Sequence, residues 1–492
     1  MRMGITFFVS GCLLILFGAA MLFPAGLDWI DGTVNSAKAF GMSALLTGFA
    51  GLLLLLTFYN KYEKLTVREM YLTTSLVWFL VCAFCALPFY FSPVPMNYTD
   101  SFFESMSGLT TMGASVIRDL DNAPRGILLW RAILQWIGGL GIIVIALGIL
   151  PLLRIGGMQL FSMESSDKSS KKMPKTQQVI ATMMLIYLTL TVLCLLCLLL
   201  TGMAPFDALA FTLCTIPTGG FAPTNASAAD LRASSQWIIF FFMFVSGLPL
   251  LLPYTVFKKD WEQIRNDIQI KTYTLFVLIT GAAMTVWLMT TGKGFTVFDA
   301  VRHSLFNIVS VMTSSGFTTD DLETWGAFPL VFFAFLLPVG ACSGSTSGGI
   351  KVFRFNIIYL FSLQYLRHKI LPHGVFIAKY NGRPLTEEIA AGVFVFFAVF
   401  LCSFLFTVML MGMMGMDFIT SVSGALSALG NTGVAFGKVI GPSGSFANLP
   451  VKAKWLMSAD MMLGRLEFIT VFVVLLPLAW RTEKQSSKEA TF

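Results

Sequence analysis

Pro217-Thr218-Gly219-Gly220 ends a moderately apolar stretch that begins near Asp207, and how it is read decides the fold. The stretch is too polar and too broken by glycine to cross a membrane as a helix. Yet it lies between two runs long enough to cross, 179–202 and 237–257. The arrangement recurs at Thr110-Thr111-Met112-Gly113, Thr313-Ser314-Ser315-Gly316 and Gly430-Asn431-Thr432-Gly433. In chain order the final glycines are 107, 96 and 117 residues apart. Each follows a helix-like stretch with an Asp at its start (Asp100, Asp207, Asp299, Asp417), which is expected to cap a helix N-terminus.

The surrounding chain reads as membrane protein. Of 492 residues, 56% are hydrophobic and 12% charged, and the mean hydropathy is +0.77. That charged share is about half the usual one. An ordinary soluble enzyme, a disordered chain and a nucleic-acid binder are excluded. Ten runs are expected to span: 4–26, 37–59, 70–93, 126–153, 179–202, 237–257, 272–291, 327–350, 389–413 and 453–480. The first is read as a retained helix rather than a cleaved leader. Basic clusters occur at Lys61/Lys64/Arg68, Arg154 to Lys175, Lys258 to Lys271, Lys351 to Arg383 and Arg481 to Lys488. With Arg2 these segments hold 22 Lys/Arg against 11 Asp/Glu, and the opposite segments hold 9 against 13. The positive-inside rule puts every cluster, and both termini, on the cytoplasmic side. Two full spans separate successive clusters, so the four glycine windows must dip in from outside and return. Irregular backbone at that depth is tolerated where protein shields it or a water-filled path runs beside it.

The expected fold is therefore an all-α polytopic membrane protein. Four repeats of helix, pore loop and helix surround a pseudo-fourfold pore, preceded by two extra helices. The divisions are 1–69 for the leading pair, 70–178, 179–270, 271–388 (with an intramembrane loop and a cytoplasmic segment) and 389–492. A half-helix of about 11 residues descends about 17 Å, roughly to mid-bilayer. Its C-terminal dipole end is partly negative. Carbonyls of the following loop can replace a cation's water shell, and glycine allows the backbone conformations this needs.

At these residues the sequence resembles the Trk/Ktr/HKT superfamily of potassium transporters, specifically its TrkH/TrkG-type membrane pore subunits. Trp130-Arg131-Ala132, Gln135-Trp136-Ile137-Gly138-Gly139, the run from Gly340 to Lys351 and Gly464-Arg465-Leu466-Glu467 carry the resemblance beyond the loops. It implies potassium uptake across the cell inner membrane, with no enzyme activity and no bound cofactor other than K+ as the transported ion. The filter residues implied are Thr111, Met112, Gly113, Thr218, Gly219, Gly220, Ser314, Ser315, Gly316, Asn431, Thr432 and Gly433. Met112 stands where Ser or Thr is more usual. Also implied are a homodimer and a cytoplasmic, ring-forming, nucleotide-binding regulatory subunit. The chain itself has no P-loop or dinucleotide fingerprint.

Gly340, Gly344, Ser345, Thr346, Gly348 and Gly349 belong to the densest Gly/Ser/Thr run, followed by Lys351. Its G-x-x-x-G spacing could mean close helix packing. The polar residues between the glycines favour unwinding, and the resemblance makes the run a gate. Arg465 lies mid-span, where a charge is costly and usually functional. Asp460 and Glu467 point elsewhere around the helix, so Arg465 is expected to face the pore or the gate; a buried ion pair with another helix is the alternative. Arg131, about five residues from its helix end, is expected to snorkel. Cys82/Cys85 and Cys194/Cys197 read as apolar packing despite their C-x-x-C spacing. The rival functions are a sodium-permeable or H+- or Na+-coupled symporter of the same fold, and a lipid-modifying membrane enzyme. The scarcity of histidines argues against the enzyme.

Overall fold

In lipid only a helix satisfies its own backbone within one segment, so long apolar runs become helices. The computed structural model describes residues 4–59, 67–148, 176–291, 294–441, 445–466, 468 and 471–472. The clusters Lys61/Lys64, Arg154 to Lys175 and Arg481 to Lys488, together with Glu467, lie outside these residues. So do the ends of the fourth and tenth expected spans.

Helices α1 (Gly4–Ala20), α2 (Leu22–Ile30) and α3 (Val34–Phe58) lead the chain. Repeat one follows with α4 (Val67–Cys85), α5 (Leu87–Phe91), half-helix α6 (Tyr98–Leu109) and α7 (Arg125–Gly148). Repeat two contains α8 (Thr176–Leu200), half-helix α9 (Pro205–Thr215), α10 (Ala233–Ser246), α11 (Leu252–Phe257) and α12 (Trp261–Asn266). Repeat three contains α13 (Ile268–Thr290), half-helix α14 (Val297–Met312), α15 (Ala327–Leu336) and α16 (Val352–Ile370). Two short antiparallel strands, β1 (Lys379–Tyr380) and β2 (Arg383–Pro384), lead into α17 (Glu387–Met413), half-helix α18 (Phe418–Gly430) and α19 (Val451–Arg465).

Among the described residues, six stretches are long and apolar enough to cross a bilayer: Gly4–Ile30, Val34–Phe58, Glu69–Phe91, Gln178–Leu200, Ile268–Thr290 and Glu387–Met413. They are the leading helices and the first helix of each repeat. Two second helices are not the continuous spans expected. The run 237–257 breaks between Ser246 and Leu252, and 327–350 breaks after Leu336. Pro249 and Pro338 lie in these breaks, and proline cannot continue a backbone ladder. The freed groups satisfy one another. Cys342 N donates to Gly247 O, and Leu250 N to Gly344 O, both at 3.0 Å. Within residues 351–388, Val352, Phe353, Arg354, Asn356 and Ile357 at the start of α16 are buried.

The half-helix caps also differ from expectation. Only Asp417 is an N-cap, accepting from Thr420 N at 3.2 Å. In repeats one and three the caps are Asn97 and Thr296, which accept from the backbones of Asp100 and Asp299. In repeat two the cap position is Ala204, followed by Pro205. The other three Asp residues sit in the first turn, where a carboxylate complements the helix dipole. Cap to glycine is then 16 residues in three repeats (113 − 97, 220 − 204, 433 − 417) and 20 in the third (316 − 296). Three repeats are in register, and the third carries about one extra helical turn.

The leading pair is fixed to repeat one. The backbones of α1 and α3 approach closely where Gly11 meets Gly51; a Cβ on Gly51 would lie 2.9 Å from Gly11 O. Asp28 of α2, fully buried, accepts from Gly126 N at the start of α7 at 2.7 Å.

Candidate functional site

All four half-helices end alike. The N–H just before the glycine bonds the carbonyl six residues before it: Met112 to Ser107, Gly219 to Cys214, Ser315 to Ser310 and Thr432 to Ser427, at 2.7–3.0 Å. The residue two before the glycine is left-handed in every repeat, with φ of +57° at Thr111, +56° at Thr218, +54° at Ser314 and +51° at Asn431. The glycines follow at +88°, +78°, +80° and +75°. A non-glycine residue in this region is uncommon. The same choice four times is one local structure built from four different sequences.

The loops then close on one another. A Cβ added to Gly113 would strike the carbonyl oxygen of Gly219, and one on Gly220 that of Ser315. One on Gly316 would strike Thr432 O, and one on Gly433 would strike Met112 O. Each glycine thus abuts the peptide before the next repeat's glycine, and the fourth returns to the first. All twelve expected filter residues lie in this ring.

Behind the ring, the loops are latched from their half-helices. In repeat one Glu104, nine residues before the glycine, accepts from Val116 N, three residues after it, at 2.8 Å. In repeat three Asn307 accepts from Thr319 N at 3.2 Å from the same positions. Ser107 and Ser310 donate to Ala114 O and Phe317 O, both at 2.6 Å. In repeat four Ser423 accepts from Phe436 N and donates to Phe436 O. Arg131 does not snorkel, because its side chain is 2% exposed. Its Nε lies 2.7 Å from Glu104 Oε1, its Nη1 donates to Ala222 O at 2.9 Å, and the guanidinium stacks 4.0 Å over Phe221. Sequence reasoning missed this pair because Glu104 sits in a window read only for its glycine. Gln135 was also passed over as a site residue. It donates to Gly219 O at 2.6 Å and accepts from Phe221 N at 3.1 Å.

Beneath the ring, residues 340–349 are unwound. Gly340 N to Ile350 O and Ile350 N to Pro338 O, both 2.8 Å, close the stem, where Gly349 packs against Gly340. Lys351 Nζ bonds the Ser347 carbonyl, the Ser347 hydroxyl at 2.9 Å and Ser345 Oγ at 3.4 Å. The loop reaches three repeats. Thr346 Oγ1 donates to Ile216 O at 3.1 Å and lies 3.3 Å from Thr218 Oγ1. Gly348 N donates to Ser314 Oγ at 2.6 Å, and a Cβ on Gly348 would lie 2.5 Å from Gly430 O. From repeat four, Arg465 Nη1 donates to Thr346 O at 3.1 Å. Among the described residues no carboxylate pairs with Arg465, and its Nε and Nη2 have no hydrogen-bond partner. Asp460 instead accepts from the Thr407 hydroxyl at 3.1 and 3.2 Å. In the loop before α7, the Asn122 amide donates to Asp119 at 2.8 Å and holds that carboxyl below its usual range.

The chain's likeness to known proteins agrees with this geometry. Residues 38–479 match the TrkH family, described as a cation transport protein. The chain is 38% identical over 447 residues to the Trk system potassium uptake protein TrkI of Halomonas elongata, covering 90% of each. It is 33% identical over 484 residues to the Trk system potassium uptake protein TrkH of Escherichia coli K12, covering 96% of this chain and 98% of that one. The crystal structure of the potassium transporter TrkH from Vibrio parahaemolyticus superposes with a TM-score of 0.88 at 30% identity. That match covers 98% of this chain and all of the other.

Proposed function

Because the chain belongs to the TrkH family of cation transport proteins, we propose that it is a multi-pass membrane subunit that carries potassium into the cell through the ring of four loops. The observation that carries this reading is the ring's closure, glycine against the neighbouring carbonyl in all four repeats. A potassium ion sheds water there and is held by peptide oxygens of residues 111–113, 218–220, 314–316 and 431–433. Residues 340–349 obstruct the path below, with Lys351 crimping the loop and Arg465 holding the Thr346 carbonyl. A buried cation beside the path also repels a permeating one. The repeats divide as 70–178, 179–270, 271–388 and 389–492 after the leading pair in 1–69.

In this reading the protein lies in the cell inner membrane with both termini cytoplasmic and works as a homodimer. A nucleotide-binding regulatory subunit docks on the cytoplasmic face, where α16 ends in the exposed Arg367, His368 and Lys369. The test is rubidium uptake into reconstituted vesicles, with and without an imposed inside-negative voltage, against sodium uptake under the same conditions. Voltage-driven rubidium uptake that potassium competes away and sodium does not is the expected result. Uptake of sodium alone, or none of either, overturns the reading.

A further inference from the structure

The second loop of the ring is held differently from its neighbours. Repeats one and three latch their loops internally, with Ser107 and Ser310 on the carbonyl after the glycine and Glu104 and Asn307 on the N–H three residues after it. Repeat two has none of these groups. Cys214 replaces the serine, Phe211 replaces the acceptor, and Pro223 has no N–H to offer. Its hold comes from α7 of repeat one. Arg131, Gln135 and Gly139 follow one another at four-residue spacing, hence on one helix face. Arg131 takes Ala222 O, Gln135 takes Gly219 O and Phe221 N, and Gly139 makes room for Pro217.

The corresponding helix of repeat two supplies an internal comparison. Tyr187 O–H donates to Trp136 O, three residues before Gly139, and Tyr273 O–H donates to Phe244 O, three before Gly247. Gly139 and Gly247 are therefore equivalent. The positions matching Arg131 and Gln135 are Ile239 and Met243, both apolar. Repeat two's helix lacks the polar face, and the third loop, beside it, has its own latches. Moreover, Gly219 O is the peptide oxygen against which Gly113 packs, so Gln135 bonds a group of the ring itself.

Resting on the reading of the ring as a potassium filter, we propose that Gln135 is a positioning residue for ion discrimination. Arg131 assists it, and Glu104 orients Arg131. Together they fix the second loop at the spacing that favours potassium over sodium. The neutral Asn307 shows that latching a loop needs no charge. Glu104 in addition pairs with Arg131, which reaches across to the neighbouring loop.

The experiment measures rubidium and sodium uptake in vesicles for Gln135→Met, the residue repeat two carries, and for Gln135→Glu, which keeps the acceptor for Phe221 N but loses the donor to Gly219 O. Gly113→Ser, which alters the ring directly, is the control. The expected result is a rubidium-to-sodium uptake ratio about tenfold lower in Gln135→Met, or about 1.4 kcal/mol of discrimination, with an intermediate fall in Gln135→Glu. If Gln135→Met yields no folded protein, Gln135→Glu and Arg131→Lys decide by the same ratio. Reduced thermal stability with an unchanged ratio means a packing role and overturns the inference. If Gly113→Ser shifts the ratio and none of these variants does, the filter reading stands and this inference falls. If Gly113→Ser also leaves the ratio unchanged, the filter reading falls with it.

Discussion

The ring and the loop beneath it are both glycine-rich and both buried, yet they are built on opposite principles. The ring is one backbone conformation made four times from Thr-Met-Gly, Thr-Gly-Gly, Ser-Ser-Gly and Asn-Thr-Gly, each copy closed by the same backbone hydrogen bond and abutting the next copy. Side-chain identity varies there, and what recurs is the backbone. The 340–349 loop occurs once, reaches repeats two, three and four, and is held by a different set of contacts to each neighbour it meets. A structure over-determined in this way stays rigid, whereas one held by a few separable bonds can leave its seat. In the proposed reading, discrimination belongs to the first and opening to the second.

Substitutions at the two places should therefore act in opposite directions. The largest effect is expected from Gly220→Ala. The new methyl meets the Ser315 carbonyl at a left-handed position, and rubidium uptake should fall by about a hundredfold, as overpacking of a few kcal/mol implies. Retained uptake there would break the contrast. Gly348→Ala pushes the loop off Gly430 and Ser314 instead. It should raise uptake by about tenfold, the effect of one lost seat worth about 1.4 kcal/mol. Arg465→Met removes the donor to Thr346 O together with a buried charge, and uptake should rise by about five- to tenfold with selectivity unchanged. Gln269→Leu removes the acceptor of Ser343 N, a peripheral tie at 2.8 Å, and should raise uptake by about twofold. Asp119→Asn, on neither structure, should lower uptake by less than about twofold and only at low ionic strength, because an exposed charge is screened beyond about 10 Å at 0.1 M salt.

The ring was legible in the sequence because it rests on periodicity, sidedness and glycine, all of which survive in one dimension. The four windows and their expected re-entrant character follow from those signals, and the family resemblance adds the twelve filter residues. The unwinding at 340–349 was legible for the same reason. Arg465 was read as facing the pore or the gate because no helix neighbour could pair with it. What escaped was pairing across sequence distance. Arg131 alone reads as a snorkelling cation and Glu104 carries no local signal, and only the packing of α6 on α7 makes them one group. The break at Gly247 was hidden within an apolar run; Pro249 was its only local sign, and its partner groups lie almost a hundred residues away at Cys342 and Gly344. Three of the four expected Asp caps lie one turn inside their helices because Asp is good both at the cap and in the first turn, while Asp417 caps as expected.

The most direct test of the ring as a cation site is anomalous scattering from crystals grown in thallium or rubidium. The account requires a peak on the axis enclosed by residues 111–113, 218–220, 314–316 and 431–433, lost when those ions are replaced by sodium. An empty ring, with the heavy ion bound elsewhere in the membrane-embedded part, would contradict it.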